Sequence, residues 1–247
     1  MPRNLRPYLW NFGMKRFLKR IIVNTPVVGT RVRQAYWDYL ARQRKPETFD
    51  RSASYWERRY LAGGNSGVGS YGPFAEFKAD VINKFVAEHG VRTVIEFGCG
   101  DGNQLALAKY ANYAGFDVSG AAISRCRQLY RSDGTKSFRL NSEYAGERGD
   151  LALSLDVIYH LVENKVFEDY MRMLFGAAER YVIIYSSDTE DNRGNETTHV
   201  RHRNFTRWIR ENIEGWQLAE HLPNRYPYRG DYRSGSFAEF YIYKKAE

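Results

Sequence analysis

The residues best suited to binding chemistry lie in one short stretch, residues 94–104, where an apolar run meets an acid and then a glycine-rich turn. The acid is Glu96, and the glycines are Gly98, Gly100 and Gly102. Because glycine has no Cβ, backbone N–H groups in such a turn can approach a polar or anionic group directly. The pattern predicts a strand, a tight turn that cradles a cofactor, and the start of a helix.

The spacing argues against a dinucleotide as that cofactor. A dinucleotide fingerprint needs another glycine three residues after Gly100, and that position is Asn103. An acid, Glu96, also precedes the turn. The alternative interpretation is that the glycines only form a tight turn and bind no ligand.

A second acid lies at a separation that suits a nucleoside. Tyr113–Asp117 predicts a short apolar strand that ends in Asp117, 21 residues after Glu96. A βαβ unit presents a carboxylate to the hydroxyls of a ribose at about this separation. Ser119 predicts the N-cap of the next helix, and in the alternative interpretation Asp117 belongs only to that cap.

A third segment adds a buried strand with a polar tip. Residues 150–161 are Asp-Leu-Ala-Leu-Ser-Leu-Asp-Val-Ile-Tyr-His-Leu, which places Asp156 and His160 at the end of the strand. Together with the Asp117 strand and Glu-Phe-Gly-Cys-Gly-Asp-Gly at 96–102, this segment resembles the class I S-adenosylmethionine-dependent methyltransferases. The resemblance covers about seventy residues with these motifs and extends more loosely over the chain from about Ser52 onward.

This resemblance implies S-adenosylmethionine as the cofactor and in-line methyl transfer as the reaction. It places Glu96 near the amino-acid end of the cofactor and the glycine turn under its ribose and methionine. It also implies that a helix at 52–62 and a glycine loop at 63–72 cover the cofactor, while a plain linker is the alternative for the loop. The residues assigned in this way to the cofactor are Tyr71, Glu96, Gly98, Cys99, Gly100, Asp101, Gly102, Asp117, Val118, Leu155 and Asp156.

Alternating strands and helices predict an α/β protein, in which helices cover both faces of a parallel sheet. The last two strands, within 216–218 and 237–243, are joined without a helix. The resemblance implies the complete fold, a Rossmann-like seven-stranded, mostly parallel sheet with a C-terminal antiparallel hairpin. The other predicted helices are 73–89, a short one after the glycine turn through about Tyr110, 120–131 and 163–178.

His160 is the first candidate for a catalytic base. It lies just past the Asp156 strand, at the edge where open α/β sheets bind ligands. An alcohol acceptor benefits from a base whose pKa lies near neutrality, and imidazole meets that need. The alternative is a structural histidine.

A second cluster, Thr198–Phe205, contains the runner-up bases His199 and His202. In an extended segment His199, Arg201 and Arg203 share one side and His202 takes the other. Such a side suits an anionic or polyhydroxylic acceptor, and a solvated basic loop is the alternative. The histidines and Asp156 lack the close spacing of a metal-ligand motif, so no metal site is predicted.

The charge of the chain is uneven. Residues 1–45 hold eleven of the 37 Lys and Arg residues and one of the 29 acids, Asp38. The rest of the chain therefore has 26 bases and 28 acids and is close to neutral. A nearly neutral catalytic part lacks the basic surface that grips a long nucleic acid, so nucleic acid is not the expected partner.

The basic segment predicts an N-terminal helical extension at 1–50, followed by a methyltransferase domain at 51–247. Apolar residues between Met14 and Ile22 fall on one helix face, with Lys and Arg on the other. Such a helix suits an anionic membrane surface. The alternatives are a helix that packs on its own subunit or on a neighbouring one in a homo-oligomer, and a transit peptide.

The expected compartment is the cytoplasm, with peripheral attachment to the inner face of the membrane as an option. Only Cys99 and Cys126 are present, which argues against a disulfide framework. The sequence has no run of eighteen apolar residues and no apolar secretory signal at its start. The apolar content of 43% is enough for a sizeable core.

The leading functional hypothesis is O-methylation of a polar acceptor. The resemblance to small bacterial methyltransferases of polysaccharide or natural-product pathways implies a glycan, a glycolipid precursor or a small metabolite as that acceptor. One alternative is a non-catalytic partner subunit that binds S-adenosylmethionine. The other is an RNA-modifying methyltransferase that uses the basic extension as an arm.

Overall fold

Seven strands form one sheet in the computed structural model, which describes residues 49–193 and 197–246. Within these residues the sheet order is β3-β2-β1-β4-β5-β7-β6. Strands β1 to β5 pair in parallel, whereas β7 is antiparallel to both β5 and β6. The strands are β1 Thr93–Phe97, β2 Asn112–Asp117, β3 Lys136–Leu140, β4 Gly149–Leu155, β5 Ala178–Ser186, β6 Trp216–Leu222 and β7 Glu239–Lys245. The predicted mixed sheet with a C-terminal antiparallel pair is confirmed.

Five helices accompany these strands in the described part of the chain. They are α1 Ser52–Leu61, α2 Gly72–Glu88, α3 Gly120–Leu129, α4 Asn164–Gly176 and α5 Phe205–Asn212. The described residues belong to a compact unit that begins at Phe49. The predicted amphipathic helix between Met14 and Ile22, and the rest of the extension up to residue 48, lie outside the described residues.

Alternation along the buried strands supplies two apolar faces, and each face packs against its own helices. On one face Leu151 and Ile183 join a cluster with α2 and α3. On the other face Ala152 and Ile184 join a cluster with α4 and α5. Because side chains of a strand alternate between faces, adjacent residues of β4 and β5 reach opposite layers. The core therefore has three layers, with helices on both sides of the sheet.

The strand order reverses at β1, which lies between β2 and β4. In open α/β sheets a crevice forms at this point, beyond the carboxyl ends of the strands. The glycine turn follows β1, Asp117 ends β2, and Asp156 follows β4. The topology therefore brings the three predicted motifs to one edge of the sheet.

The helix predicted after the glycine turn is wrong in type, because residues 104–107 form only a single 3₁₀ turn. The Gln104 side chain donates to the carbonyl of Ala75 at 3.0 Å, and the Asn83 side chain donates to the carbonyl of Leu107 at 2.9 Å. These contacts tie the segment to α2, and the backbone becomes extended at Ala108.

Helix α5 was not predicted from the sequence, although its signals are present. The side chain of Asn204 accepts from the backbone N–H of Arg207 at 2.9 Å, which is an N-cap. Phe205, Trp208 and Ile209 follow at the i, i+3 and i+4 spacing of a buried helix face. Among the described residues, no helix combines the length and the apolar character that crossing a bilayer requires.

Candidate functional site

A cavity of about 300 Å³ lies at the carboxyl edge of the sheet, where the strand order reverses. Ten of the predicted site residues line it, and they come from all three sequence motifs. They are Glu96, Gly98, Cys99, Gly100, Asp101, Asp117, Val118, Leu155, Asp156 and His160. Trp56 and Tyr60 of α1, and Ser66 and Ser70 of the glycine loop, also line the cavity, so both segments that the resemblance placed over the cofactor contribute to its wall.

Two glycines of the turn have no room for a side chain. Gly98 has φ +85°, and a Cβ there would lie 2.3 Å from the Cγ2 of Val157. Gly100 has φ +58°, and a Cβ there would lie 2.4 Å from the Oγ of Ser66. Left-handed backbone and close packing both require glycine at these positions. The turn is therefore a cradle that presents bare backbone to the cavity.

Gly102, a predicted cofactor residue, does not line the cavity. A Cβ there would lie 3.0 Å from the Sγ of Cys126 and 3.1 Å from a ring carbon of Tyr130. The hydroxyl of Tyr130 donates to the Gly102 carbonyl at 2.7 Å. The third glycine thus allows α3 and the residue that follows it to pack against the turn.

Asp117 joins the turn to the second strand. Its Oδ2 accepts from the backbone N–H of Gly100, and its Oδ1 accepts from the N–H of Ser119, both at 2.9 Å. The side chain of Ser119 in turn accepts from Ala122 and caps α3. Burial raises the pKa of Asp117 to about 6, although the backbone N–H groups oppose that rise. At neutral pH the carboxylate is ionised and lies in the cavity wall.

Glu96 lies beside Asp117 in the same wall and is almost completely buried. Its Oε2 accepts from the hydroxyl of Tyr113 at 2.7 Å. Burial raises the pKa of Glu96 to about 7, and the hydrogen bond from Tyr113 only partly offsets the rise. The two predicted carboxylates therefore reach a common cavity.

Asp101 holds the glycine loop over the turn. Its Oδ2 accepts from the backbone N–H of Ser66 at 3.1 Å and from the hydroxyl of Tyr71 at 2.5 Å. Burial alone would raise the pKa of Asp101, but the hydrogen bonds from Tyr71, Ser66 and Asn103 lower it overall. Tyr71, a predicted cofactor residue, thus contacts Asp101 and does not line the cavity itself.

A buried ion pair at the tip of β4 was missed by sequence reasoning. The Nζ of Lys78, whose side chain is 1% exposed, lies 2.6 Å from the Oδ2 of Asp156. The hydroxyl of Tyr159 donates to the Oδ1 of the same carboxylate at 2.7 Å. Asp156 has φ +60°, a left-handed conformation that is uncommon outside glycine. The sequence contains a signal for a buried lysine, because Lys78 falls on the apolar face of α2 together with Phe74 and Phe85.

The three candidate bases occupy different environments. His160 lines the cavity, and its Nδ1 lies 2.9 Å from the backbone carbonyl of His199. Because a carbonyl can only accept, Nδ1 carries the proton and Nε2 is an acceptor. Burial lowers the pKa of His160 to about 4, so the ring is neutral at pH 7.

His199 and His202 do not line the cavity. The ring of His199 stacks on Tyr55 at 4.4 Å between centroids and on His160 at 5.5 Å. The Nδ1 of His202 lies 2.7 Å from the Oγ of Ser187, and the residue lines a separate depression. Burial lowers the pKa of His202. The geometry therefore favours His160 among the three candidates.

Two buried acceptor atoms of residues that line the cavity have no hydrogen-bond partner within residues 49–193 and 197–246. They are the Oδ1 of Asn141, which follows β3, and the Oε1 of Gln104, which follows the glycine turn. The amide of Gln104 is fixed in this orientation because its nitrogen donates to the carbonyl of Ala75. A buried acceptor without a donor is costly, so each of these atoms is a candidate to accept a hydrogen bond from an N–H group of a bound ligand.

Comparison with known proteins agrees with this geometry. Residues 95–176, about a third of the chain, match the family model of a methyltransferase domain. No curated protein matches the chain significantly. Among the described residues, no group of three His, Cys, Asp or Glu side chains is arranged to bind a metal ion.

Solved structures with the same fold include three methyltransferases of low sequence identity. The N-methyltransferase NodS from Bradyrhizobium japonicum WM9, in complex with S-adenosylhomocysteine, is 17% identical over 80% of this chain and 100% of that chain, with a TM-score of 0.63. Magnesium protoporphyrin IX methyltransferase ChlM from Synechocystis PCC 6803, with bound S-adenosylmethionine, is 15% identical over 82% and 100%, with a TM-score of 0.56. The methyltransferase domain of bacterial CtHen1-C is 19% identical over 69% and 97%, with a TM-score of 0.54.

The matched segment and the fold agree with each other. Residues 95–176 match a methyltransferase domain, and the described residues have the fold of S-adenosylmethionine-dependent methyltransferases, so S-adenosylmethionine is the cofactor to compare with the cavity. This cofactor has N–H groups at its two ends, the adenine amino group and the methionine ammonium. Asn141 Oδ1 and Gln104 Oε1 would be acceptors for these two groups, and the carboxylate of Asp117 would accept from the ribose hydroxyls. The residues present therefore fit the cofactor.

We expect Asn141→Leu and Gln104→Leu each to weaken S-adenosylmethionine binding about tenfold, because each leaves one N–H group of the ligand unpaired. Calorimetric titration measures this loss. 5′-Methylthioadenosine, which has the adenine but no ammonium, separates the two roles: Asn141→Leu should weaken its binding and Gln104→Leu should not. Asn112→Ala, at the opposite edge of the sheet, is the control. Equal effects of both variants on 5′-methylthioadenosine would contradict the assignment.

We also expect the affinity for S-adenosylmethionine to fall as the pH drops below about 6. Protonation of Asp117 removes an acceptor for the ribose, and its pKa in the free protein is raised to about 6 by burial. Below this pKa, the affinity for S-adenosylmethionine should fall by at most about tenfold per pH unit. Glu96→Gln should keep this pH dependence, whereas Asp117→Asn should bind weakly at every pH. An unchanged slope in Asp117→Asn would show that another group controls binding.

Proposed function

We propose that this methyltransferase transfers the methyl group to a hydroxyl oxygen of a polar acceptor. The observation that carries the proposal is the state of His160, which lines the cavity. Its ring is buried and neutral, and the contact of Nδ1 with a carbonyl leaves Nε2 as a hydrogen-bond acceptor. A hydroxyl needs such a group, because it must lose a proton when its oxygen becomes methylated.

Held by residues that include Asp117, S-adenosylmethionine would supply an electrophilic methyl group on a sulfonium. A lone pair of the acceptor oxygen would form the new O–CH₃ bond, and the electron pair of the broken S–CH₃ bond would remain on sulfur as the thioether. His160 Nε2 takes the proton that the oxygen releases. The methylated oxygen is strongly acidic before it loses that proton, so a base with a pKa of about 4 is sufficient.

The buried ion pair of Lys78 and Asp156 makes part of the wall polar in the cavity that His160 also lines. Asp156 keeps 14% exposure of its side chain and has free lone pairs beyond those used by Lys78 and Tyr159. A second hydroxyl of the acceptor can donate to this carboxylate and align the reacting oxygen. Alignment of this kind contributes a large part of the rate of a displacement reaction.

The acceptor class proposed from the family resemblance is a glycan, a glycolipid precursor or a small metabolite. The solved relatives are named for N-methylation and for a magnesium porphyrin, so the fold alone does not choose among acceptors. The polar pair in the cavity supports an acceptor with more than one hydroxyl. Attachment of the basic N-terminal segment to an anionic membrane remains part of the proposal and would bring the enzyme to a glycolipid precursor.

The test uses S-adenosylmethionine with a ¹³C-labelled methyl group, incubated with the full-length protein and a fractionated cell extract. Mass spectrometry finds the labelled product, and the ¹³C chemical shift distinguishes an O-methyl group from an N-methyl or C-methyl group. We expect an O-methyl product. An N-methyl or C-methyl product would overturn the proposal.

The same assay tests the role of His160. We expect His160→Asn to bind the cofactor normally and to transfer the methyl group about a hundredfold more slowly, because a general base contributes at least that factor. His221→Asn is the matched control, since His221 lies on the edge strand β6 and pairs with Glu239. Equal turnover in His160→Asn and the control would remove His160 from the reaction.

A further inference from the structure

A second depression, of about 530 Å³, lies on the other side of the segment that carries His160. The start of α4, the segment 190–192 and the beginning of α5 with the residues before it surround this depression. Its walls include the aromatic rings of Phe167 and Trp208 and the side chains of Arg201 and Arg203. We call it the arginine pocket.

The two guanidinium groups of the arginine pocket share the same neutral acceptors. Arg201 Nη1 and Arg203 Nη2 lie 2.9 and 3.1 Å from the Oδ1 of Asn164. The same nitrogens lie 3.2 and 2.7 Å from the backbone carbonyl of Val162. Two cations are thus held side by side on oxygens that carry no net charge.

Within residues 49–193 and 197–246, no carboxylate oxygen lies within 4.0 Å of either guanidinium group. Burial and, to a smaller extent, the charge of Arg201 lower the pKa of Arg203 to about 10, although Glu163 and Glu168 oppose that shift. Each guanidinium has five N–H donors, and the contacts above use a minority of them. The site therefore has cationic donors in excess of its acceptors.

The carboxylates around the arginine pocket limit where an anion can lie. Glu211 is already paired with Arg207 at 2.9 Å. Glu168 and Glu190 line the depression without an ion pair in the described part of the chain, and they would repel an anion on their side. A bound anion is thus confined to the side of Arg201 and Arg203. Removal of a rim carboxylate should then strengthen binding.

The arginine pocket and the methyl-transfer cavity share one wall. The backbone N–H of Arg201 donates to the carbonyl of Tyr159 at 2.7 Å, and both arginines contact the carbonyl of Val162. His160, between Tyr159 and Val162 in sequence, lines the other cavity. A molecule that extends past this wall would place one group near His160 and another near the arginines.

We propose that the arginine pocket binds an oxyanion group, a phosphate or a carboxylate, of the methyl acceptor. Guanidinium forks match the two oxygens of such a group, and charge-assisted hydrogen bonds to it are stronger than those to Asn164. This inference rests on the proposed function, since it describes the acceptor of the same reaction. It narrows the acceptor class to acidic or phosphorylated hydroxyl compounds.

The first test measures the binding of inorganic phosphate to the full-length protein, with tryptophan fluorescence as the readout. The ionic strength is kept constant by replacing phosphate with chloride. Trp208 lines the pocket and reports occupancy. We expect saturable binding that weakens at least tenfold in Arg201→Gln and in Arg203→Gln, and that tightens in Glu190→Gln. Arg225→Gln, whose guanidinium pairs with Asp80 on α2, is the matched control.

S-Adenosylhomocysteine binding is measured in each variant and should not change, which shows that the fold and the cofactor site are intact. Arg201 is exposed, so its variant remains informative if Arg203→Gln does not fold. Absence of saturable phosphate binding would overturn the inference.

The second test uses the acceptor found by the labelling experiment. We expect inorganic phosphate to compete with the acceptor, and Arg201→Gln to raise KM at least tenfold with little change in kcat. An acceptor that carries no phosphate or carboxylate, or phosphate binding that leaves the acceptor KM unchanged, would overturn the inference. An N-methylated product with phosphate competition would overturn the proposed O-methylation and leave the arginine pocket as the anion site.

Discussion

The hydrogen bond from the Gly100 N–H to the buried carboxylate of Asp117 is the contact on which the site depends. Asp117 ends β2, and Gly100 belongs to the turn after β1, so this bond fixes one strand end against the other. Burial disfavours an ionised carboxylate, and the backbone N–H groups of Gly100 and Ser119 offset part of that penalty. A glycine turn with no side chains can supply these donors without blocking the cavity. The same arrangement leaves the carboxylate in the cavity wall, where a ribose can use it.

Two sets of polar contacts contribute to the cavity wall. Asp101 accepts from Ser66 and Tyr71 and so anchors the glycine loop on the turn. Lys78 and Asp156 form a buried ion pair. Burying two charges is unfavourable unless their geometry and remaining hydrogen bonds compensate. The strained backbone of Asp156 adds to that cost, and strain of this kind clusters at functional sites. Both features agree with a site shaped for a polar, charged ligand.

The sequence and the family resemblance predicted the fold and ten of the residues that line the cavity. The glycine turn, the Asp117 strand and the Asp156 strand each contain a local pattern, and parallel strands bring their carboxyl ends to one edge. For that reason Glu96 and Asp117 line the same cavity, as the sequence predicts. Gly102, which the resemblance assigns to the cofactor, does not line the cavity, and α3 packs against it. The spacing of the turn does not encode this helix packing.

Other residues of the site depend on contacts between distant parts of the chain. Lys78 lies 78 residues from its partner Asp156 in the sequence. Asn141 and Gln104 are candidates only because the folded chain leaves a buried acceptor of each without a donor. His199 and His202 carry plausible side chains for catalysis, yet tertiary contacts direct them to Tyr55 and Ser187. Sequence reasoning identifies residue types and local spacing. It does not reveal which side chains remain unpaired after folding.

The most direct test of the account is hydrogen–deuterium exchange of the full-length protein with and without S-adenosylhomocysteine. The central claim is that the glycine turn held by Asp117 contacts the cofactor. We expect slower exchange in peptides covering 96–104 and 113–119 when the ligand is present, with no change in the edge strand at 216–222. Protection that leaves 96–104 unchanged and appears elsewhere, at saturating ligand, would contradict the claim.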